Sequence, residues 1–123
     1  MENLKAKVSK ELIRQVPVNK LDSIISENNH KIIDVRDPKS IEKQGSIPGA
    51  INIPFDAVER AINKHHSDYN AIFEGQGPYL FCCTGGVMSY MAAIKAQENG
   101  IKNVCNLDGG HSGWLKLKAT QAA

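Results

Sequence analysis

Cys83 carries the clearest chemical potential in this sequence. It stands where a short apolar run, Pro78-Tyr79-Leu80-Phe81-Cys82, gives way to Thr84-Gly85-Gly86-Val87-Met88-Ser89. The stretch that follows, Tyr90 to Glu98, reads as a helix. A thiol at the end of a buried strand, on a glycine-bearing loop that opens a helix, meets the requirements for an activated nucleophile. Backbone N–H groups of such a loop and of the helix N-terminus can point at the sulfur and favour its anion.

Two further groups of residues bear on that thiol. Asp34 lies near the end of a β-rich run and Arg36 follows it, and Asp108 and Gly109 follow another. Asp34 and Arg36 are expected to support the site rather than act as acid and base. Arg36 would pair a nearby carboxylate such as Glu42, and Asp34 would tie the strand end to neighbouring backbone. Asp108 with Gly109 and Gly110 would shape the pocket rim. His111 is open to two readings, one at the site mouth and one as a helix cap. Cys82 precedes the nucleophile on the strand, so its side chain should point to the opposite face and stay inert in the core, with a resolving or regulatory thiol as the alternative reading. Cys105, between Val104 and Leu107, reads as a small buried hydrophobe, Trp114 as a core or rim anchor, and His65 and His66 as a solvated helix end.

The elements that must position these groups alternate. Val16-Pro17-Val18 is a candidate edge strand, where proline is tolerated. Leu21, Ile24 and Ile25 recur at helical spacing until Asn28-Asn29-His30. Ile32 to Val35 reads as a buried parallel strand. Arg36-Asp37-Pro38 breaks it, and a short helix runs through Ile41. Gly45 to Gly49 is a turn, and Ala50 to Ile53 a short strand. Pro54 to about His66 reads as helix with Phe55, Val58 and Ile62 on one face. Asp68 to Gly77 is a loop with some helical content. The last strand is Asn103 to Leu107, followed by Asp108-Gly109-Gly110 and a terminal segment around Trp114 and Leu117. Strands and helices alternating in this way predict an α/β fold of three layers: a central parallel sheet of about five strands with helices on both faces. In such sheets ligands bind beyond the carboxyl ends of the strands, where Asp34, Cys83 and Asp108 fall.

Bulk properties narrow the functional class. The 123 residues suffice for one domain with its own core. A net charge of +2, with no run of like charges, gives no reason to expect nucleic acid or an anionic membrane as partner. No segment approaches the roughly 18 apolar residues of a membrane span, and the first residues hold no apolar leader. The cytoplasm is therefore the expected location, where thiols stay reduced. Three cysteines, two of them adjacent, fit neither a disulfide framework nor the paired spacing of a zinc site. No metal and no cofactor is expected.

Three stretches taken together resemble the rhodanese-like sulfurtransferases. The first is Ile33-Asp34-Val35-Arg36-Asp37-Pro38 with Gly45-Ser46-Ile47-Pro48-Gly49-Ala50-Ile51-Asn52-Ile53-Pro54. The second is the loop Cys83 to Ser89, and the third runs from Asn103-Val104 through Leu107-Asp108-Gly109-Gly110 to Gly113-Trp114. The resemblance implies a rhodanese-like domain over residues 16–119. Before it would lie an extension, residues 1–15, with a short helix from Val8 to Gln15 capped by Ser9. Residues 120–123 would form a disordered tail.

The resemblance further implies that Cys83 takes a sulfane sulfur from a donor, holds it as a persulfide, and passes it to a thiol or other nucleophile. The amides of Thr84, Gly85, Gly86, Val87, Met88 and Ser89 would cradle the outer sulfur. Glutathione or thioredoxin would serve as acceptor, and the protein would be a monomer or weak dimer. Some features depart from the family pattern. Many single-domain members have arginine where Met88 stands, thiosulfate-using members have basic residues where Thr84 and Gly85 stand, and Ser46 replaces a histidine. A dianion such as thiosulfate would then rest on amides alone, so a less charged persulfide donor is expected. The same features motivate an alternative, a regulatory module that senses sulfane sulfur or oxidants with little turnover. A cysteine phosphatase or arsenate reductase is opposed by the loop's length and its lack of arginine.

Overall fold

The computed structural model describes residues 13–122. Its five strands form one sheet in the order β1-β5-β4-β2-β3, and every neighbouring pair is parallel. The strands are β1 (Arg14–Pro17), β2 (Lys31–Asp34), β3 (Ile51–Asn52), β4 (Tyr79–Cys82) and β5 (Val104–Asp108). The helices are α1 (Leu21–Glu27), α2 (Pro38–Gln44), α3 (Val58–Ala61), α4 (Val87–Glu98) and α5 (Gly110–Ala122).

β4 lies at the centre of the sheet and sorts its side chains by the two-residue period of a strand. Tyr79, Phe81 and then Cys83 belong to one apolar cluster, and Leu80 and Cys82 to the other. The first cluster packs Ile33, Val35 and Phe81 against Val58 and Ala61 of α3 and Ala92, Ala93 and Ala96 of α4. Those three alanines are fully buried, and their small side chains let α4 run close to the sheet. The second cluster packs Ile32, Leu80 and Leu107 against Leu21 and Ile24 of α1 and Trp114 of α5. Helices thus cover both faces, as the alternation of elements predicted. α2 contributes no buried residue.

Local differences from the sequence reading have local causes. The helix expected over Val8 to Gln15 falls partly outside the described residues. Its last two positions, Arg14 and Gln15, are strand, paired with Cys105 and Asn106 of β5. The helix expected from Pro54 to His66 is a 3₁₀ turn at Phe55–Ala57 and then only Val58–Ala61. Beyond it, the Asn63 side chain accepts from the His65 amide at 3.0 Å, and His66 Nδ1 from the Asp68 amide at 2.9 Å. Such side chain to backbone bonds offer the chain an alternative to helix. α4 begins at Val87 rather than Tyr90, because Gly86 turns through the left-handed region (φ 94°) and delivers the chain straight into the helix. α5 continues through residues 120–122, where a disordered tail was expected.

Candidate active site

Cys83 follows the last residue of β4, and its sulfur meets the first turn of α4. Gly86 N–H lies 3.1 Å from Sγ, Ser89 N–H 3.3 Å and Ser89 Oγ 3.2 Å. Of the six residues expected to form the cradle, Gly86 and Ser89 thus reach the sulfur itself. Thr84, Gly85, Val87 and Met88 instead line an open pocket of about 490 Å³. Cys83 is only 6% exposed but forms part of that pocket's wall, so the sulfur is desolvated and still approachable.

The loop holds this shape because its carbonyls are also engaged. The His111 amide donates to Cys83 O at 2.8 Å, and the Ser112 amide to Thr84 O at 2.9 Å. The first turn of α5 therefore caps the loop with amides that would otherwise lack partners. Asn106 Nδ2 donates to Gly86 O at 3.0 Å. Two glycines make the close approach feasible. A Cβ on Gly86 would stand 3.0 Å from Leu107 O, and one on Gly110 would stand 2.5 Å from Thr84 O. The sequence reading placed Gly110 at the pocket rim rather than under the loop, and it did not single out Asn106. For Asn106 a signal existed, since a polar residue amid Val104, Cys105 and Leu107 on a buried strand needs partners.

Asp34 and Arg36, expected to support the site, pair with each other. Arg36 Nη2 donates to Asp34 Oδ2 at 2.7 Å, and Arg36 Nε contacts both carboxylate oxygens at 3.1 and 3.2 Å. Both side chains are almost fully buried. Glu42, the partner expected for Arg36, is exposed on α2. The correction has a simple cause: Asp34 ends β2, and the turn that follows folds Arg36 back over it, with the Arg36 amide also donating to Oδ1 at 3.1 Å. The rest of the guanidinium bonds Gly45 O at 3.0 Å and Gln44 Oε1 at 3.3 Å. Among the described residues lining the pocket Arg36 is the only cation, and its charge is already matched. Asp37 and Asp56 are exposed at the same pocket and bring negative charge to its rim.

The remaining candidates separate cleanly. Asp108 is exposed at the end of β5 and does not line the pocket, contrary to its expected place at the rim. Gly109 remains close to the loop, its amide 3.0 Å from where a Gly86 Cβ would stand. His111 takes neither expected role. Its ring is buried with its centroid 5.8 Å from that of Trp114, and burial lowers its pKa. Trp114 anchors the opposite face, with Nε1 donating to Asp22 Oδ1 at 3.0 Å. Cys82 is fully buried on that face, and desolvation, with Asp34 nearby, pushes its thiol well up. Burial also raises Cys105, whose Sγ sits 3.4 Å from Tyr79 O. Neither is poised to become an anion at neutral pH.

The model of the rhodanese-like domain matches residues 17–117, which takes in the whole site. The chain belongs to the rhodanese-like family. A thiosulfate sulfurtransferase/rhodanese-like domain-containing protein 3 of Mus musculus is 30% identical over 111 residues, covering 86% of this chain and 71% of the mouse protein. The human thiosulfate:glutathione sulfurtransferase is 27% identical over 110 residues, covering 85% of this chain and 95% of its own. Among solved structures, a protein of unknown function from Rhodopseudomonas palustris, described as a possible tyrosine phosphatase, superposes with a TM-score of 0.85 at 27% identity. That match covers 92% of this chain and 87% of the other.

Proposed function

We propose that this rhodanese-like protein is a sulfurtransferase that carries sulfane sulfur as a persulfide on Cys83. One observation carries the reading: the Cys83 sulfur faces an open pocket while two backbone amides and a serine hydroxyl converge on it. The two amides favour negative charge on sulfur without a neighbouring cation. In the first half-reaction the Cys83 thiolate attacks the outer sulfur of a donor persulfide. The donor's S–S bond breaks, and its electron pair leaves on the donor thiolate. In the second, an acceptor thiolate attacks the outer sulfur of the Cys83 persulfide, and the electron pair returns to Sγ. Glutathione or a thioredoxin-like protein thiol would serve as acceptor, in a compartment where thiols stay reduced.

The pocket's charge argues for the donor class. Thiosulfate brings two negative charges to a cavity whose lone cation among the described residues is bound to Asp34, with Asp37 and Asp56 at the rim. A persulfide carries less charge, and the apolar Val35, Phe55, Val87 and Met88 suit its carbon chain. The same lack of a free guanidinium weighs against phosphatase chemistry, which needs a cation for a phosphoryl dianion.

The test is a single-turnover transfer. The protein is loaded with a persulfide donor, separated from it, and mixed with glutathione, and the sulfur on each partner is followed by mass. Sulfur leaving Cys83 and appearing on glutathione at a useful rate supports the transferase. Loading with negligible transfer to glutathione, thioredoxin or cyanide would replace it with the sensing module.

A further inference from the structure

Asn106 lies mid-strand in β5, fully buried, between residues that are apolar. A buried amide must place both its ends. Its nitrogen donates to Gly86 O at 3.0 Å and to Gln15 Oε1 at 2.9 Å. A backbone carbonyl only accepts, so Gly86 fixes which end of the amide faces the loop. Asn106 Oδ1 is thereby turned onto Ser89 Oγ, 2.6 Å away. Oδ1 has no proton to give, so the Ser89 hydroxyl must donate to it.

That hydroxyl has a single proton. With it directed at Asn106, the face of Oγ that lies 3.2 Å from Cys83 Sγ is a lone pair. A lone pair suits a thiol, whose S–H finds an acceptor there. It repels an anion. Ser89 can donate to an anionic sulfur only by turning its O–H away from Asn106.

We propose that Asn106 is a positioning residue: through Ser89 it makes the serine oxygen an acceptor for the Cys83 thiol proton at rest, and a donor only once the sulfur is anionic. The proposal rests on the sulfur-transfer reading for its use. When an acceptor takes the outer sulfur, the S–S bond breaks with its electron pair on Sγ, and the Ser89 O–H, keeping its proton, turns onto that charge. The hydroxyl thus rewards the leaving thiolate and not the resting thiol. Removing Asn106 frees it to face sulfur permanently.

A double-mutant cycle read by alkylation tests this without any sulfur transfer, so its failure is separable from failure of the transferase reading. Iodoacetamide modification of Cys83 is timed at one neutral pH, by peptide mass, in the parent, N106A, S89A and the double variant. N106A is expected to react about threefold to tenfold faster, the size of a gained hydrogen bond to charge after its geometric losses. The double variant is expected to match S89A within about twofold. An unchanged or slower N106A overturns the proposal. So does an equal acceleration in the S89A background, which would assign the effect to the Gly86 carbonyl and loop position. If N106A does not fold, the S–H stretching band of Cys83, isolated by subtracting the Cys83→Ser spectrum, serves instead. It is expected to rise in frequency in S89A as the thiol loses its acceptor, and a band that does not move overturns the proposal.

Discussion

Gly110 lies so close to Cys83 that a Cβ on it would stand 2.7 Å from the Cys83 carbonyl oxygen. Its φ of 65° also lies in the left-handed region. The start of α5 and the cysteine loop therefore pack backbone to backbone, and only glycine permits it. Gly110→Ala is expected to cost about 1–3 kcal/mol of stability through overpacking and to slow persulfide loading by displacing the loop. Thermal melting and loading kinetics check both, and a variant with unchanged loading would show that the brace does not set the loop.

The Asp34–Arg36 pair supports the site from the other side. Its side chains are 3% and 2% exposed, and Arg36 also holds Gly45 O. Arg36→Ala leaves a buried carboxylate without its partner, a loss of about 3–5 kcal/mol. Urea denaturation measures it, and a loss under about 1 kcal/mol would contradict the role given to the pair.

Met88 is half exposed at the pocket wall, where a guanidinium could reach an anionic donor. Met88→Arg is expected to raise kcat/KM for thiosulfate about tenfold, equivalent to ~1.4 kcal/mol. Stability should stay within about 0.5 kcal/mol, as for an exposed position. Steady-state assays with thiosulfate decide it. No gain would mean that charge is not what limits this donor.

His111 gives the fold a dependence on pH. Burial holds its pKa below the ordinary 6.5, and Arg36 adds to the effect while Asp34 opposes it. Above that ordinary value the ring is neutral in the folded and unfolded chains alike. Below it the unfolded chain binds a proton that the fold resists, so stability falls with pH until the folded value is passed. His30 is shifted the same way, so some slope persists without His111. The stability curve of His111→Asn between about pH 7 and about pH 5 should be shallower than the parent's. An identical slope would contradict it.

Much of this was legible in the sequence because it rests on short-range pattern. The alternation Tyr79, Phe81, Cys83 against Leu80, Cys82 sets the sulfur on one face and its neighbour on the other, and two thiols of different character follow from that period. The edge position of the strand containing Pro17 followed from proline's missing donor. What escaped was set by distance or by local competition. Gly110 meets Thr84 and Asn106 meets Ser89 across gaps in the chain that periodicity does not span. Arg36 had several carboxylates within reach, and only the turn after β2 selects Asp34 over Glu42. The helix after Pro54 ended early because Asn63 offered the His65 amide a nearer acceptor.

The central claim is that Cys83 accepts sulfur, and intact mass tests it most directly. The protein is incubated with a low-molecular-weight persulfide, cleared of donor, and weighed beside Cys83→Ser. The expected result is a gain of one sulfur, removed by a reducing thiol and absent from Cys83→Ser, whereas Cys82→Ala still loads. No added sulfur from any of several donors, or the same gain in Cys83→Ser, would contradict the account.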